Sequence, residues 1–597
     1  MRLTTLDWLI VTGTLIVAFL PALFFAGRAN KNTTEFFASG RGAPWWLIGI
    51  SMVATTFAAD TPNLVTDLVR QGGISGNWVW WAFLLSGMAT VMFYARMWRR
   101  SGVLTDLEFY ELRYSGKGAR VVRAFRSVYL GLLFNVMVMA TVNLAAVKIA
   151  SVLLGWEMDR TLFWCAVLSG LFAMISGLWG VLLVDLVQFG IAMAGAITAA
   201  WFALQQPQVG GLHALFEKLP TETVAFLPDA SDPTTFLSVL ILPLLVNWWA
   251  VWYPGSEPGG GSYIAQRMLA AKSERDAMGG TLLFNIAHYA MRTWPWIIVA
   301  LSSLLVFPTL DDLAAKFPGI PAPLIGHDIA YPAMLTLLPA GWLGLVVAGI
   351  LAAYVSTIVT HLNWGSSYLV HDLYRRFIVP TASEKHYVGV SRWVTVGLML
   401  LAALLTPFIN TASAGFTLLL SIGAGTGPIY LLRWYWWRIN ATAEIVAMVA
   451  SFIAAVGFQL FGALEGAPVD ATVSMLGTVT ITTLAWLIAV FVSPPTEAAT
   501  LEQFYKVVRP AGPGWRRIRE STGIGPSPDS LPQALWGWVL GTLVVYAAMF
   551  GIGSMLAGRH GLAVIWIAIL LTAGLWLIKV LRGFKRDANE PSGAVQS

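Results

Sequence analysis

Long apolar runs alternate with short polar connections along the whole chain. Runs long enough to span a bilayer lie at roughly 5–26, 44–68, 77–97, 125–154, 160–178, 181–204, 235–254, 277–307, 341–370, 387–409, 411–432, 440–463, 470–493, 536–556 and 560–581. These fifteen spans predict an all-α polytopic membrane protein. The first has no small-residue cleavage site behind a short apolar core, so it reads as a retained helix rather than a leader.

Two spans are interrupted. The second, PWWLIGISMVATTFAADTPNLVTDL, breaks near its middle at Thr55, Thr56, Asp60, Thr61 and Pro62. The seventh, FLSVLILPLLVNWWAVWYPGSEPGGGSYIAQR, is expected to end early at Pro254, Pro258 and three consecutive glycines. Unwound backbone at membrane depth is tolerated only where it is buried in protein or lines a watery cavity. The seventh span comes five after the second, and five is odd, so the two broken helices run in opposite directions. An inverted repeat of five plus five helices demands that relation; two Pro-kinked helices falling there by chance is the competing reading.

A third span is polar where a plain anchor would carry Leu and Val. The stretch from Gly349 to Arg376, GILAAYVSTIVTHLNWGSSYLVHDLYRR, holds Ser356, Thr357, Thr360, Asn363, Ser366 and Ser367. Ala353, Ser356 and Thr357 stand at i, i+3 and i+4, which turns a backbone carbonyl and two hydroxyls to one side. Small neutral oxygen donors suit a dehydrated monovalent cation, since hard cations prefer oxygen. Hydroxyls in membrane helices also bond the carbonyl one turn back or a neighbouring helix, and the span taken alone does not separate the two.

Composition agrees with the spans: the chain is 57% hydrophobic and 11% charged, with mean hydropathy +0.69. The net charge of +6 is explained by where the charges lie. With the N-terminus outside, only Arg2, Arg70, Arg160, Lys218, Lys316 and Arg559 fall in outer segments and Lys148 and Arg292 within spans; the rest of the 37 Lys and Arg residues fall inside. The basic excess is a positive-inside signal, and no nucleic-acid partner is implied. The reading is a multi-pass protein of the plasma membrane, a bacterial inner membrane, with a cytoplasmic C-terminus. Cys165, the single cysteine, excludes an internal disulfide and a Cys-rich metal site. No P-loop, HExxH or GxSxG occurs, so neither a primary pump nor an enzyme is expected.

Five stretches resemble the sodium/solute symporter family, which includes the sodium/glucose and sodium/proline cotransporters: PWWLIGISMVATTFAAD, GVLLVDLVQFG, YIAQRMLAAKSERDA, LAAYVSTIVTHLNWGSSYLVHDLYRRF and GPIYLLRWYWWRINATAEI. They run in family order over about residues 40–445. The resemblance implies the leucine-transporter fold, with one N-terminal and about four C-terminal extra helices around the five-plus-five core. The expected organisation is an N-terminal helix and inner loop (1–43), the repeats (44–204 and 235–434), two added helices (440–493), an inner linker (494–535), two C-terminal helices (536–582) and a tail (583–597). It further implies uptake of a small organic solute with Na+ as coupling ion, by alternating access and without any other cofactor. By position, the sodium site takes carbonyls at Ala54 and Phe57 with Ala353, Ser356 and Thr357, and Asp185 lies on the ion's inner exit path. Asp60 and Thr61 fall where the sugar carriers place Glu and Gln against substrate, and Arg292 about where they have a lysine. The Gly/Pro-rich insertion between Tyr253 and Tyr263 and the Trp-rich NWWAVW depart from the family pattern and leave the solute open.

The remaining candidates each have two readings. Asp185 near the inner end of its span is a functional acid by default or a headgroup-reaching one. Asp60 can bind a solute hydroxyl or amine, or pair with Arg292 or Lys148. Lys148, near the outer end of its helix, is expected to snorkel. His288 and His361 have no neighbouring acid at helical spacing, which speaks against a proton relay or metal site. Trp248, Trp249 and Trp252 can stack on a sugar, cover an ammonium group or mark the interface. With the breaks facing each other, Thr56, Asp60 and Thr61 should lie across a cavity from Asn247 and these tryptophans. That lining, with Arg292, suits a polyhydroxylated or zwitterionic solute, a sugar or polyol before an amino or organic acid. A proton-coupled transporter of the same fold, or a ligand sensor without net transport, is the alternative; oligomeric state is not readable.

Overall fold

A computed structural model describes residues 3–29, 41–103, 105–173, 178–251, 257–409, 411–467 and 469–584. Its main helices are α1 (Thr5–Ala29), the broken pair α2 (Trp45–Thr55) and α3 (Asp60–Gly72), α4 (Ile74–Ser101), α5 (Gly116–Leu154), α6 (Met158–Ala173) and α7 (Leu178–Leu204). The second broken pair follows, α8 (Pro233–Leu245) and α9 (Ser262–Ala270), then α10 (Glu274–Val306), α11 (Trp342–Ile378) and α12 (Glu384–Phe408). Beyond these lie α13 (Ala412–Gly423), α14 (Gly427–Leu432), α15 (Ala441–Glu465), α16 (Ala471–Val492), α17 (Ala498–Val508), α18 (Arg516–Thr522), α19 (Leu531–Leu556) and α20 (His560–Gly583). Among the described residues the only extended pairing is one bridge, Ala43 with Ala271.

Burial sorts these helices into a core and a lipid-facing shell. The apolar segments of α5 and α11 are 78% buried inside the protein, whereas those of α12 and α20 are 17% buried. An all-apolar helix surface that is not buried by protein must be solvated by lipid. Helix α2 packs on α10 through two small residues: a Cβ on Gly49 would lie 2.7 Å from the Gly280 carbonyl oxygen, and one on Gly280 would lie 2.4 Å from Ile48 Cγ1. Asp7 of α1 accepts from the backbone N–H groups of Gly341 (2.7 Å) and Gly344 (2.8 Å), capping the start of α11 from another helix.

The first break falls where the sequence places it. Helix α2 stops at Thr55, the Phe57 N–H turns back to the Ala54 carbonyl (3.0 Å), and α3 restarts at Asp60. Pro62 sits in the first turn of α3, where a missing N–H costs nothing, and Asp60 faces the positive end of that helix. The second break differs from expectation. Helix α8 ends at Leu245, well ahead of Pro254, and a single 3-10 turn at Asn247–Trp249 gives way to extended backbone at Ala250. Another helix takes over the freed backbone: the Val251 N–H donates to the Gly423 carbonyl at 3.3 Å. Contact there is so close that a Cβ on Gly423 would lie 1.7 Å from the Val251 carbonyl oxygen.

The described part of the insertion that follows, residues 257–262, is fixed in place. Gly259 and Gly260 take positive φ (83° and 86°), and Trp98 Nε1 donates to the Gly259 carbonyl at 2.7 Å. Glu257 is buried between the guanidinium groups of Arg126 and Arg433. The Ser262 N–H donates to Asp106 at 2.8 Å, and Asp106 in turn accepts from the Tyr368 hydroxyl at 2.5 Å.

The segment read as an inner linker contains α17 and α18 and is held to the residues just after α14, where Trp515 Nε1 donates to the Trp434 carbonyl at 2.8 Å. Asp529 joins Glu274 in pairing with Arg96 and Arg100. Helix α19 leans on the core through Trp538 Nε1 to the Leu85 carbonyl (2.7 Å) and Tyr546 to the Trp81 carbonyl (3.0 Å). One expectation is overturned. Lys148 does not snorkel: its ammonium donates to both oxygens of Asp328 at 2.7 Å, and the side chain is 0% exposed. The reason is a distant carboxylate brought down onto the helix end, which neutralises the charge where it stands.

Candidate ion and solute site

The carboxylate of Asp185 on α7 lies within a ring of hydroxyls. It is 1% exposed and accepts from Ser51 Oγ on α2 at 2.5 Å and from Ser356 Oγ on α11 at 2.8 Å. It therefore reaches no headgroup. Thr357, one residue on, donates to the carbonyl of Thr55 at 3.3 Å, at the residue where α2 stops. The broken end of α2, the first third of α7 and the polar face of α11 thus converge on one place. The helical spacing explains it: Ser51 and Thr55 stand at i and i+4 on α2, as Ala353 and Thr357 do on α11.

Arg267 of α9 closes this cluster from the side of the second break. It donates from Nε to Ser51 Oγ (3.2 Å) and from a terminal nitrogen to Thr55 Oγ1 (3.3 Å), and lies 3.7 Å from Asp185. Both charges are fully buried, and their mutual compensation is what makes their burial tolerable. Ala54, Phe57 and Ala353 are buried beside the cluster. The Ala54 carbonyl already accepts from Phe57, which leaves it one further lone pair.

On the other face of the first break, Thr56 is engaged by α10. Its hydroxyl donates to the Val53 carbonyl (2.9 Å) and lies 3.1 Å from His288 Nδ1 and 3.2 Å from Arg292 Nη1. Arg292, 1% exposed, also reaches His288 Nδ1 at 2.7 Å, and its guanidinium lies over Phe57 and Trp296. His288 occupies a π-helical turn, Ile286–Met291, a feature frequent at functional sites. Asp60 and Thr61 are half-buried at the start of α3.

The wall at the second break is partly unsatisfied. Asn247 is 3% exposed, and among the described residues neither its Oδ1 nor Trp249 Nε1 has a partner. Trp248 packs on Trp249 (5.4 Å between ring centres) and on Trp538 of α19 (5.9 Å). Trp252 lies outside the described residues. Trp80 of α4, stacked on Tyr289 at 5.8 Å and edge-on to His288 at 5.9 Å, carries the aromatic surface from α4 to α10. His361 bonds Asn135 Oδ1 at 2.6 Å, and no group of three metal-ligating side chains occurs among the described residues.

Sequence reasoning did not single out Ser51, Thr55 Oγ1, Arg267 or Trp80. For the first two, the i and i+4 hydroxyls of ISMVATT were a usable signal. An arginine and a tryptophan reaching in from other helices leave none.

Two broken helices that meet a buried carboxylate, hydroxyls and carbonyls inside an apolar helical bundle are the arrangement of a secondary transporter. Comparison with known proteins fixes the class further. Residues 36–451 match the Sodium:solute symporter family, and the chain belongs to it. It is 24% identical over 458 residues to a sodium/glucose cotransporter of Vibrio parahaemolyticus, covering 72% of this chain and 80% of that one. It is 25% identical to a sodium/mannose cotransporter of Bos taurus, covering 75% and 78%. A solved Na+-coupled sialic acid symporter in a substrate-bound, outward-open state superposes with TM-score 0.62 at 18% identity, covering 83% of this chain and 99% of that one. The leucine-transporter-like fold and sodium-coupled symport follow from these matches.

Proposed function

We propose that the chain imports a small polyhydroxylated solute, a sugar or polyol, together with Na+ held between α2 and α11. The ligands would be the carbonyls of Ala54, Phe57 and Ala353 with the hydroxyls of Ser356 and Thr357. The observation that carries this is the Thr357 bond to the Thr55 carbonyl, which joins α11 to the broken end of α2. A cation placed among these oxygens ties the two helices together and so holds the break in one geometry. The same break carries Asp60 and Thr61 toward the solute, which makes ion and solute binding mutually favourable. In this reading Asp185 receives the ion on its inward path through Ser356, residues 44–204 and 235–434 form the two repeats, and the N-terminus lies outside.

The solute would meet Asp60, Thr61, Asn247 and the aromatic wall of Trp248, Trp249, Trp252 and Trp80. Thr56 and Arg292 would brace the break, since they are bonded to each other and to His288. The sugar reading is supported by the unpartnered Asn247 Oδ1, which an apolar solute would leave orphaned at a cost of several kcal/mol. It also has the named sugar substrates of the relatives behind it. The test is uptake in proteoliposomes under an inward Na+ gradient, with hexoses, polyols and amino acids as competitors. Competition by amino acids alone would overturn the sugar assignment.

A second reading rests on one observation: Asp185 puts a titratable acid 2.8 Å from Ser356, inside the ion cluster. Protons would then drive transport in place of Na+. Uptake driven by a pH gradient in Na+-free buffer would establish it, and strict Na+ dependence would exclude it.

A further inference from the structure

Transport by the core gives no role to the folded linker, yet the linker builds a cavity. It measures about 380 Å³ and lies where α17, α18 and the start of α19 meet, lined by Tyr505, Trp515, Arg519, Ser527 and Asp529. Its negative charge is already matched, because Asp529 pairs with Arg96 at 2.6 Å and with Arg100 at 3.1 Å. Its positive charge is not. Among the described residues the Arg519 guanidinium has no hydrogen-bond or ion-pair partner. At the cavity's edge, Arg509 donates to the Pro526 carbonyl at 2.8 Å, but its buried Nε has no partner. Burial pushes the Tyr505 phenol up while the charges of Arg519 and Arg509 pull it down, so both guanidinium groups act on this aromatic wall.

Arg509 ends α17 in the left-handed conformation (φ 51°), its N–H donating to the Tyr505 carbonyl at 3.0 Å, which fixes the chain direction beside the cavity. The cavity's back wall is Trp515, whose indole donates to the Trp434 carbonyl at 2.8 Å, next to the Arg433 that grips Glu257. The Arg519 guanidinium and the Tyr505 phenol on this lining, with Arg509 bonded beside it to the Pro526 carbonyl, match a tetrahedral oxyanion carried on a small organic group.

We propose that this linker cavity binds a phosphate-bearing anion and that its occupancy stiffens the linker against the inner ends of α4 and α14. The phosphate can come from a soluble metabolite or from an anionic lipid headgroup. The test uses full-length purified protein and two arms. In neutral detergent, the melting temperature is measured against potassium phosphate and against potassium chloride at equal ionic strength. In phosphatidylcholine nanodiscs, it is measured with and without phosphatidic acid.

A saturable rise with phosphate supports a soluble ligand, and a rise only with phosphatidic acid supports the headgroup. In the responding arm, Arg519→Gln should weaken the apparent affinity at least about tenfold, with partial retention in Arg519→Lys. Arg517→Gln, two residues away and on the opposite face of the same helix, should leave it unchanged. No phosphate-specific shift in either arm, or a shift untouched by Arg519→Gln, would overturn the proposal.

Discussion

Replacing Thr357 by valine is the sharpest perturbation of the proposed ion site, because it keeps the β-branched shape and removes a single oxygen. The residue is 2% exposed, so the lost hydroxyl is not replaced by water. Its only described bond is the 3.3 Å contact to the Thr55 carbonyl, long for a hydroxyl donor, and removing it should cost fold stability about 1 kcal/mol. Its loss as an ion ligand should cost about 1–3 kcal/mol in binding, or roughly five- to a hundredfold in the Na+ concentration for half-maximal uptake. Ser356→Ala makes an instructive contrast. It removes a ligand of the same kind and also strips a 2.8 Å donor from a buried carboxylate, so it should lower the melting temperature more than Thr357→Val does. The assay is uptake at saturating solute over a Na+ titration in proteoliposomes, with thermal unfolding of the same preparations. A Thr357→Val protein with unchanged half-maximal Na+ and merely lower maximal uptake would refute the assignment.

Three other outcomes are expected. Lys148→Met should destabilise by about 3–5 kcal/mol by removing the buried ammonium that pairs with Asp328, and the double change with Asp328→Leu should recover part of that loss in a melting experiment; an undisturbed single mutant would mean the pair is not buried as described. Gly423→Ala should abolish uptake with the protein still inserted, since the new Cβ cannot coexist with the Val251 carbonyl, and normal uptake would show that the second break packs differently. Cysteines placed at the exposed Lys272 and Arg517 should react only from the cytoplasm, and at Glu217 and Asp311 only from outside, over the low background expected of the buried Cys165; the reverse pattern would invert the charge-based topology.

Much of the architecture could be read from one sequence because lipid imposes a simple rule. A span must be apolar for its full length unless protein or water covers it, so Thr55 to Pro62 announced the first break. Ser356 and Thr357 were legible for the same reason. Partnerships between distant segments were not. Nothing near Lys148 signals Asp328, so a buried pair looked like a snorkelling lysine. Nothing around Leu245 shows that Gly423 and Gly427 lie against the following backbone, so the unwinding was attributed to the prolines instead of to a helix many residues further on. Arg267 was visible only as part of a motif, because its meaning comes from the Asp185 it faces.

The Asp7 cap gives α11 a fulcrum. Two backbone N–H groups at the helix start are held by a carboxylate from α1, so sliding along the helix axis would break both bonds at once. A tilt about that held end would break neither. Ser356 lies about 20 Å along α11 from it, so a tilt of a few degrees would displace Ser356 and Thr357 by about an ångström, and if these residues hold Na+ as proposed, the Asp7 cap would be the pivot about which the ion is seated or released.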